Sequence, residues 1–406
     1  MIDFTVLNAA LNKVILPAVT SQMYQKAPAW QLFGGWSAKE SVAKRANINI
    51  DRFENNNLYI PLRTSNHSGV VSIAVGEKYN YGNPTLGESY TTIKTIVGSF
   101  QIPKAVLNTT DKGAIVKPLL FSTQTLSNDL AMDANRQVYG NGDGVIATTA
   151  SSGTSETTVA LTPSTNGDID FSRYFAPGTR IKIGSNAITT VDDQTGDNEI
   201  TIADSQSWDA SANIVKVTGS DTTSSELNGL SGMVAASGSY QNLDPATVTS
   251  WKSSVDATSE TLYPNTIKQK MHAQYFKANK IGRVKWVVTN SSLFQTYGNG
   301  LTDNVRYEQK EVLAGGWVGL AYMAGLANVL LDYDCTDDRV YFLSDEELVF
   351  GQFQPLEWEK GTDGILFKIA QQLDYEVTAS WMGNIGTVAR AAQAMLDNKT
   401  ASQVNP

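Results

Sequence analysis

The sequence predicts an α+β protein in which one long helix separates β-rich segments. Apolar residues between positions 114 and 138 recur at intervals of seven and four, the period of an amphipathic helix. Strand-like runs precede this helix at 56–63 and 90–103 and return towards the C-terminus. Residues 147–219 form an island rich in Ser, Thr, Asp and Gly with short alternating runs, which predicts a small inserted β-domain.

The composition indicates a folded protein with a sizeable core. The chain has 406 residues, of which 41% are hydrophobic and 17% charged, and this length suggests two or three structural units. The formal net charge of −9 provides no overall field that would attract nucleic acid or an anionic membrane. Cys335 is the only cysteine, which excludes an intrachain disulfide and a metal cluster held by several thiolates.

The first segment, 1–50, predicts an arm that lies on other parts of an assembly. A short helical pattern is interrupted by Pro17, Pro28 and the Gly34-Gly35 pair, and it has too few apolar residues for a core of its own. The start has no basic region, and Pro17 interrupts its apolar stretch, so it does not resemble a signal peptide. A cytoplasmic product is therefore expected.

Two β-rich runs follow the arm, and they predict a long hairpin. They are "NNLYIPLR" at 56–63 and "YTTIKTIVGSFQIP" at 90–103. The stretch between them is polar and rich in Gly and Asn, which is typical of a mobile hairpin tip.

The motif "VYGNGDGVIATT" at 138–149 terminates the long helix. A calcium-binding loop of the EF-hand type needs glycine at its sixth position and a bidentate glutamate at its twelfth. Counted from Asp133, these positions hold Val138 and Gly144, so the motif does not fit a calcium loop. A phosphate-binding loop would need a lysine and a following helix, and neither is present. We expect Gly140 to adopt the left-handed conformation common just after a helix.

The island at 147–219 contains acidic turns, including "VDDQTGDNE" at 191–199. Such turns have the oxygen atoms to bind a cation, but the sequence favours solvated hairpin turns.

After the island we expect a helix capped by Asp244 before Pro245, and another that begins at Pro264. A helix over "SSLFQTY" with Asn290 or Ser291 as its cap follows a buried strand, and further strands are predicted at 339–344, 347–353, 365–372 and 375–383.

Residues 312–331 carry no charge over twenty positions, which is the length of a membrane helix. Four glycines, Asn328, the acidic flanks Glu311 and Asp332, and the absence of a neighbouring Lys/Arg cluster argue against a membrane span. We therefore favour buried or subunit-facing backbone that needs glycine for close approach.

The sequence contains no recognisable catalytic constellation. His67 lies in a polar hairpin tip and His272 on a Lys-rich helix, and neither belongs to a triad or zinc pattern. Cys335 is surrounded by carboxylates, which disfavour a reactive thiolate. The pairs Glu346/Glu347 and Glu357/Glu359 have the chemistry of a general acid and base, but such pairs are common on solvated strand edges. We expect no catalytic residue, no metal site and no cofactor.

The order of these segments resembles that of the major capsid proteins of tailed bacteriophages, which have the Hong Kong 97-type shell fold. Four segments carry the resemblance, namely "DLAMDANRQVYGNGDG" (129–144), "LNGLSGMV" (227–234), "YQNLDPATVTSWKSSV" (240–255) and "DYEVTASWMGNIGTVARAAQAML" (374–396). Each motif is short, and their order is the stronger argument. The resemblance covers nearly the whole chain apart from the inserted β-domain.

The resemblance implies a division of the chain into an N-arm, an E-loop hairpin, a peripheral domain built on a spine helix, and an axial domain. The expected ranges are 1–50 for the arm, 51–102 for the E-loop, 103–146 for the peripheral domain with the spine helix, 147–219 for the inserted β-domain, 220–372 for the axial domain, and 373–406 for the closing strand and tail. Aromatic residues of the arm and hairpin are then expected to pack on neighbouring subunits, namely Phe4, Trp30, Phe33, Trp36, Tyr79, Tyr81 and Tyr90.

The resemblance also implies a function, in which hexamers and pentamers of this chain form an icosahedral head around double-stranded DNA. Expected partners are a separate scaffolding protein, a portal and decoration proteins, with DNA contacted without sequence specificity and no membrane. The expected location is the virion, and the host cytoplasm during assembly. We expect residues 1–50 to be retained in the mature particle, because no removable scaffolding stretch precedes them.

Some members of the family join their subunits by a lysine–asparagine crosslink. Lys78 and Asn384 are conceivable here, although nothing in the sequence singles out a pair. Two alternative functions stay open: an encapsulin-like shell that holds a protein cargo, and a hydrolase that uses Glu346/Glu347 or His272.

Overall fold

The computed structural model confirms the α+β class, with 21% helix and 40% strand. It describes residues 27–33, 53–63, 68–79, 81–83, 85–104, 112–277, 284–300, 310–312, 318–322, 327–360, 365–369, 372 and 374–401.

The described α-helices are α1 (Pro28–Phe33), α2 (Lys112–Tyr139), α3 (Leu230–Val234), α4 (Pro264–Lys277) and α5 (Ser291–Asn299). Short 3₁₀ turns occupy Phe171–Tyr174, Thr249–Trp251 and Arg390–Ala392. The strands before the centre of the chain are β1 (Phe53–Glu54), β2 (Asn57–Arg63), β3 (Leu86–Thr92), β4 (Lys94–Ile102), β5 (Val145–Thr148), β6 (Gly153–Ala160), β7 (Arg180–Ile183), β8 (Thr189–Gly196), β9 (Glu199–Trp208) and β10 (Asn213–Lys216). The later strands are β11 (Ser254–Asp256), β12 (Glu260–Thr261), β13 (Trp286–Thr289), β14 (Lys310–Val312), β15 (Val318–Tyr322), β16 (Ala327–Leu331), β17 (Val340–Leu343), β18 (Leu348–Trp358), β19 (Phe367–Lys368), β20 (Tyr375–Thr387), β21 (Ala394–Leu396) and β22 (Lys399–Thr400).

The long strand β20 organises the first layer of the fold. On one side it pairs antiparallel with β18 and β19, and on the other with β4, from Tyr375 opposite Ile102 to Gly383 opposite Lys94. The helix α2 packs on β4, where Leu126 and Leu130 approach Gly98. The alternation of β4 explains this arrangement, since its buried residues face the helix and the others face solvent.

The helix α1 fills the centre of this layer. Trp30 is completely buried, and its ring meets those of Phe350 on β18 and Trp381 on β20 edge-to-face, with centroids 5.4 and 5.0 Å apart. Phe33 is buried in the same core. The expectation that Trp30 and Phe33 pack on a neighbouring subunit is therefore wrong, because their own subunit provides the apolar surface. Phe4 and Trp36 lie outside the described residues.

The end of α2 differs in one detail from the prediction. The helix ends at Tyr139 as expected, but the positive φ angles fall at Gly142 (87°) and Gly144 (77°) and not at Gly140. The Asn141 side-chain amide donates to the Asp143 carboxylate. Within the same loop, the Asp143 N–H donates to the Asn141 side chain and the Val145 N–H donates to the Asp143 carboxylate. The loop is a turn held by its own side chains.

Residues 145–216 form a six-stranded antiparallel sheet in the order β5-β10-β7-β8-β9-β6. An antiparallel bridge between Thr149 and Leu161 joins its first and last strands, so the sheet closes into a barrel. Its interior is a separate apolar cluster that includes Val159, Phe175 and Ile200. We refer to this unit as the barrel.

A seven-stranded sheet in the order β11-β21-β17-β13-β16-β15-β14 forms the third unit. Asn290 caps α5 as predicted, since its side chain accepts the Ser291 N–H. Asp244-Pro245 does not begin an α-helix; Asp244 instead accepts the Ala246 N–H within a turn that precedes the 3₁₀ turn at Thr249–Trp251.

Parts of the uncharged 312–331 segment are strands β15 and β16, and no helix among the described residues has the length and apolarity to span a membrane.

Gly229 lies against the carbonyl end of α2. A Cβ at this position would lie 2.5 Å from the carbonyl oxygens of Gln137 and Val138 and 2.6 Å from that of Gly140. All three atoms belong to the backbone, so no side-chain rotation can relieve the collision. This contact fixes the distance between α2 and the segment that leads into α3.

We expect Gly229→Ala to lower the free energy of unfolding by about 1–3 kcal/mol, the usual cost of overpacking a tight site. Gly219→Ala is the matched control, because a Cβ there meets nothing within 4 Å. Chemical denaturation followed by tryptophan fluorescence measures both variants. Equal stability of the two would mean that the α2 terminus moves aside without cost.

Candidate assembly surface

The hairpin formed by β2 and β3 has a buried base and an exposed tip. The two strands pair from Asn57 opposite Thr92 to Arg63 opposite Leu86. At the base, Leu58, Ile60 and Leu62 are buried in the main core. The connection between the strands spans residues 64–85, which is far longer than a simple hairpin turn, and connections of this length usually have a function.

The described part of the tip exposes an unusual amount of apolar side chain. Val75 and Tyr81 are about as exposed as in an extended chain, at 107% and 90%, and Val70 is 82% exposed. The rings of Tyr79 and Tyr81 stack edge-on with centroids 5.3 Å apart. We call this set the tip cluster; its members are Val70, Val71, Ile73, Val75, Tyr79 and Tyr81.

The two limbs of the tip run in contact with each other. A Cβ at Gly82 would collide with Ser68 and the backbone of Gly69. A turn at 74–77 is closed by the Glu77 N–H, which donates to the Ala74 carbonyl over 3.1 Å, and by the Ala74 N–H, which donates to Glu77 Oε2. The two limbs of the tip are therefore held together, and the exposed apolar side chains of the tip cluster make it a candidate contact surface.

The sequence did not identify a polar junction that connects four parts of the chain. Asp332, just after β16, is buried and accepts hydrogen bonds from the Ala29 N–H of α1 and from Asn135 and Tyr139 of α2. Asp334 accepts from Asn135 as well, and also from Arg173 and Tyr174 of the barrel. We call Asp332, Asp334 and Asn135 the carboxylate junction.

Burial raises the pKa of Asp332 to about 6, and the neighbouring Asp334 acts in the same direction. The hydrogen bonds from the Asp334 N–H, Asn135 and Tyr139 partly oppose this rise. Asp334 has a cationic partner, because Arg173 Nη2 lies 2.6 Å from its Oδ1. The junction was missed because its only sequence mark is an acidic pair two residues apart after a buried strand.

The described residues that were considered for catalysis lie on different elements. His272 is exposed on α4, and His67 lies outside the described residues. Glu346 is exposed and Glu347 half-buried in the turn between β17 and β18, where burial and the neighbouring Glu346 raise the pKa of Glu347. Within the described ranges, no group of three or more His, Cys, Asp or Glu side chains is arranged to hold a metal ion.

The residues considered for a crosslink differ in accessibility. Lys78 is exposed in the hairpin tip. Asn384 is 1% exposed, and its amide donates to Thr91 Oγ1 and to the Thr92 carbonyl while its oxygen accepts the Asn228 N–H. Asn384 therefore anchors the base of the hairpin to β20, which gives it a structural role in its own subunit.

Comparison with solved structures identifies the fold. A chain of the cyanophage A-1(L) capsid asymmetric unit is similar with a TM-score of 0.50 and 13% identity, over 92% of this chain and 93% of that one. Two other structures have lower TM-scores: a chain of a native GTA particle (0.41, 9% identity, over 90% of this chain and 97% of that one) and a virus-like particle from Pyrococcus furiosus (0.39, 9% identity, 90% and 96%). No protein-family profile and no curated protein matches the chain. The likeness to the cyanophage protein confirms the predicted resemblance to phage capsid proteins at the level of the fold.

The carboxylate junction leads to a prediction about pH. The pKa of Asp332 is about 6 in the folded protein, above its ordinary value of 3.8, so the folded state binds more protons between these values. The contribution of Asp332 to stability is complete below about pH 4 and is lost as pH rises through 6, a difference of about 3 kcal/mol.

We therefore expect the free energy of unfolding of the native protein, minus that of Asp332→Asn, to fall between pH 4 and pH 7. Denaturant titrations of the unassembled subunit at several pH values measure this difference. Asp192→Asn, which replaces an exposed acid on β8, is the control and should give a difference that is independent of pH. A constant difference for Asp332→Asn would contradict the raised pKa.

Proposed function

We propose that this chain is the major capsid protein of a tailed phage, and that it assembles into hexamers and pentamers of an icosahedral head around double-stranded DNA. The supporting observation is the fold, which is similar to the cyanophage capsid chain over 92% of the sequence. The proposal places the protein in the virion, and in the host cytoplasm during assembly, with no catalytic role.

The division of labour within the subunit follows the ranges given by the sequence. We propose that residues 51–102 act as the E-loop, 103–146 with 373–406 as the peripheral domain, and 220–372 as the axial domain. The barrel then corresponds to the insertion at 147–219. Scaffolding, portal and decoration proteins are the expected further partners, and the net charge of −9 is consistent with packaged DNA that the protein does not grip.

The tip cluster supports an assembly role on physical grounds. Val70, Val75 and Tyr81 gain nothing from folding because they stay in water. Burying one such side chain on a neighbour contributes about 1.5–3 kcal/mol, and one tip repeated at every subunit makes this contribution many times over. An exposed apolar projection is difficult to explain in a protein that functions as a monomer.

We expect the purified chain, alone or with co-expressed phage proteins, to form shells visible by negative-stain microscopy. The double variant Val75→Asp/Tyr81→Asp should abolish them, because each charge would have to be desolvated in the contact. Circular dichroism and thermal melting of this variant should match the parent, since both side chains are exposed.

The matched control is Tyr263→Asp, which places a charge at an aromatic residue that is 60% exposed and lies far from the hairpin in the sequence. Shells from this control and none from the tip variant would support the tip as a contact surface. A parent chain that stays monomeric under all conditions, by light scattering, would count against the capsid function itself.

A further inference from the structure

We propose that the barrel is a brace that holds α2 and the seven-stranded sheet in a fixed relative position. The barrel has an apolar core of its own, yet its polar residues bond to both of these parts of the chain. The barrel is a stiff connector, because each of its four inner strands, β10, β7, β8 and β9, has a hydrogen-bonded partner on both sides. Hydrogen bonds on one side of the barrel, the first flank, join it to α5 and the seven-stranded sheet, and those on the other side, the second flank, join it to α2.

On the first flank, the loop before the Phe171–Tyr174 turn caps a helix that comes much later in the chain. Asp168 Oδ2 accepts the Ser292 N–H over 2.6 Å, and Asp168 Oδ1 accepts the Ser292 hydroxyl. Asn290, the local cap of α5, accepts the Ser291 N–H. The barrel thus supplies a second acceptor for the unpaired N–H groups of the first turn, and its negative charge suits the positive end of the helix.

The neighbouring Asn166 binds the chain at two other points. Its backbone N–H donates to Asp337 Oδ2 over 2.6 Å, and its side-chain amide donates to the Asp337 carbonyl. Its side-chain oxygen accepts the Ala401 N–H over 2.9 Å, just after β22. Asn166 therefore joins the loop before β17 to the C-terminal segment, and this loop flanks the centre of the seven-stranded sheet.

On the second flank, the last barrel strand and the segment after it bond to α2. Lys216 Nζ lies 3.0 Å from Asp133 Oδ1, and Glu226 binds Arg136 through both carboxylate oxygens, at 2.5 and 3.1 Å. Burial alone would raise the pKa of Asp133, but Arg136 and Lys216 lower it well below its usual range. The Arg136–Glu226 pair is buried and the Lys216–Asp133 pair is partly exposed. The buried pair resists separation, because each ion would be left without its partner.

The two flanks together explain why the barrel acts as a brace. Removing the side-chain contacts of Asp168 and Asn166 should loosen the seven-stranded sheet from the barrel, although Arg173 and Tyr174 still bond to Asp334. The barrel stays attached to α2. Residues 166–168 alone cap α5, bond to Asp337 and bond to the backbone of Ala401. A surface loop without a role in positioning these parts would not need all three contacts.

The first test is hydrogen–deuterium exchange of the full-length, unassembled subunit. We expect Asp168→Ala to accelerate exchange of the α5 amides about fivefold, the equivalent of losing a cap worth about 1 kcal/mol. Asp168→Asn should retain most of the protection, because asparagine is an equally good cap. Asp192→Ala, which removes the same charge from an exposed site of the barrel, should have no effect on α5.

The second test measures the relative position of the two parts directly. Spin labels at Gln124→Cys on α2 and Gln295→Cys on α5 occupy exposed positions, and the native Cys335 is buried. Adding Asn166→Ala and Asp168→Ala should broaden the distance distribution between the labels by pulsed electron paramagnetic resonance, while adding Asp192→Ala should not.

Unchanged exchange in α5 together with an unchanged distance distribution would overturn the brace. Thermal melting followed at Trp208 in the barrel checks that the barrel itself remains folded in each variant. Because both tests use the unassembled subunit, their outcome is independent of whether shells form.

Discussion

The fold depends on the pairing of β20 with strands from distant parts of the chain. β4 precedes the long helix α2, and β18 follows the central strands of the seven-stranded sheet. Both nevertheless hydrogen-bond to β20 along much of its length. Trp381 on this strand completes the aromatic core around Trp30. Because β4 comes so much earlier in the sequence than β20, the central sheet can form only after nearly the whole chain is available. Contacts of such long sequence separation favour slow folding, since loop closure must precede the energy gained from pairing.

The buried polar groups lie where irregular segments cross this framework. Arg390 is 1% exposed, and its guanidinium donates to the carbonyls of Gly232, Met233, Ser237 and Gly238, which lie outside the strand ladders. Asp332 accepts hydrogen bonds from groups of α1 and α2. Asn384 both donates and accepts hydrogen bonds at the base of the hairpin. Backbone groups that leave water must find partners, so each crossing needs one long or branched polar side chain. Burying these charges is costly, and the cost is tolerated because removing one would leave several groups unpaired at once.

The parts of the fold that the sequence predicted are those that local chemistry determines. The helix expected at 114–138 is observed at Lys112–Tyr139, and the cap at Asn290 is confirmed, because periodicity and capping act within a few positions. Asp244-Pro245 has the same local chemistry as a helix start, but the chain after it forms only turns and a short 3₁₀ segment. Trp30 and the carboxylate junction could not be placed, because their partners lie in distant parts of the sequence and no local pattern encodes them. The ranges of the domains, and any role of His67 or of the segment 1–26, stay predictions.

The charges of the barrel separate its inward and outward contacts. Residues 147–219 contain nine carboxylates and four basic side chains. Their net charge of −5 is more than half of the −9 of the whole chain. Arg173, Arg180 and Lys216 are already paired, with Asp334, Asp221 and Asp133, and so they neutralise acids within the subunit. Six acids are left exposed on the barrel, namely Glu156, Asp192, Asp193, Asp197, Asp204 and Asp209. Two barrels that carry these exposed acids repel each other at close range, and this repulsion weakens with salt. If copies associate as proposed, their attraction must come from apolar surface elsewhere. Among the described residues, the most exposed apolar side chains belong to the tip cluster. In the proposed shell, the barrel, held by its polar bonds to α2 and α5, serves the geometry of the subunit, and the hairpin serves its association.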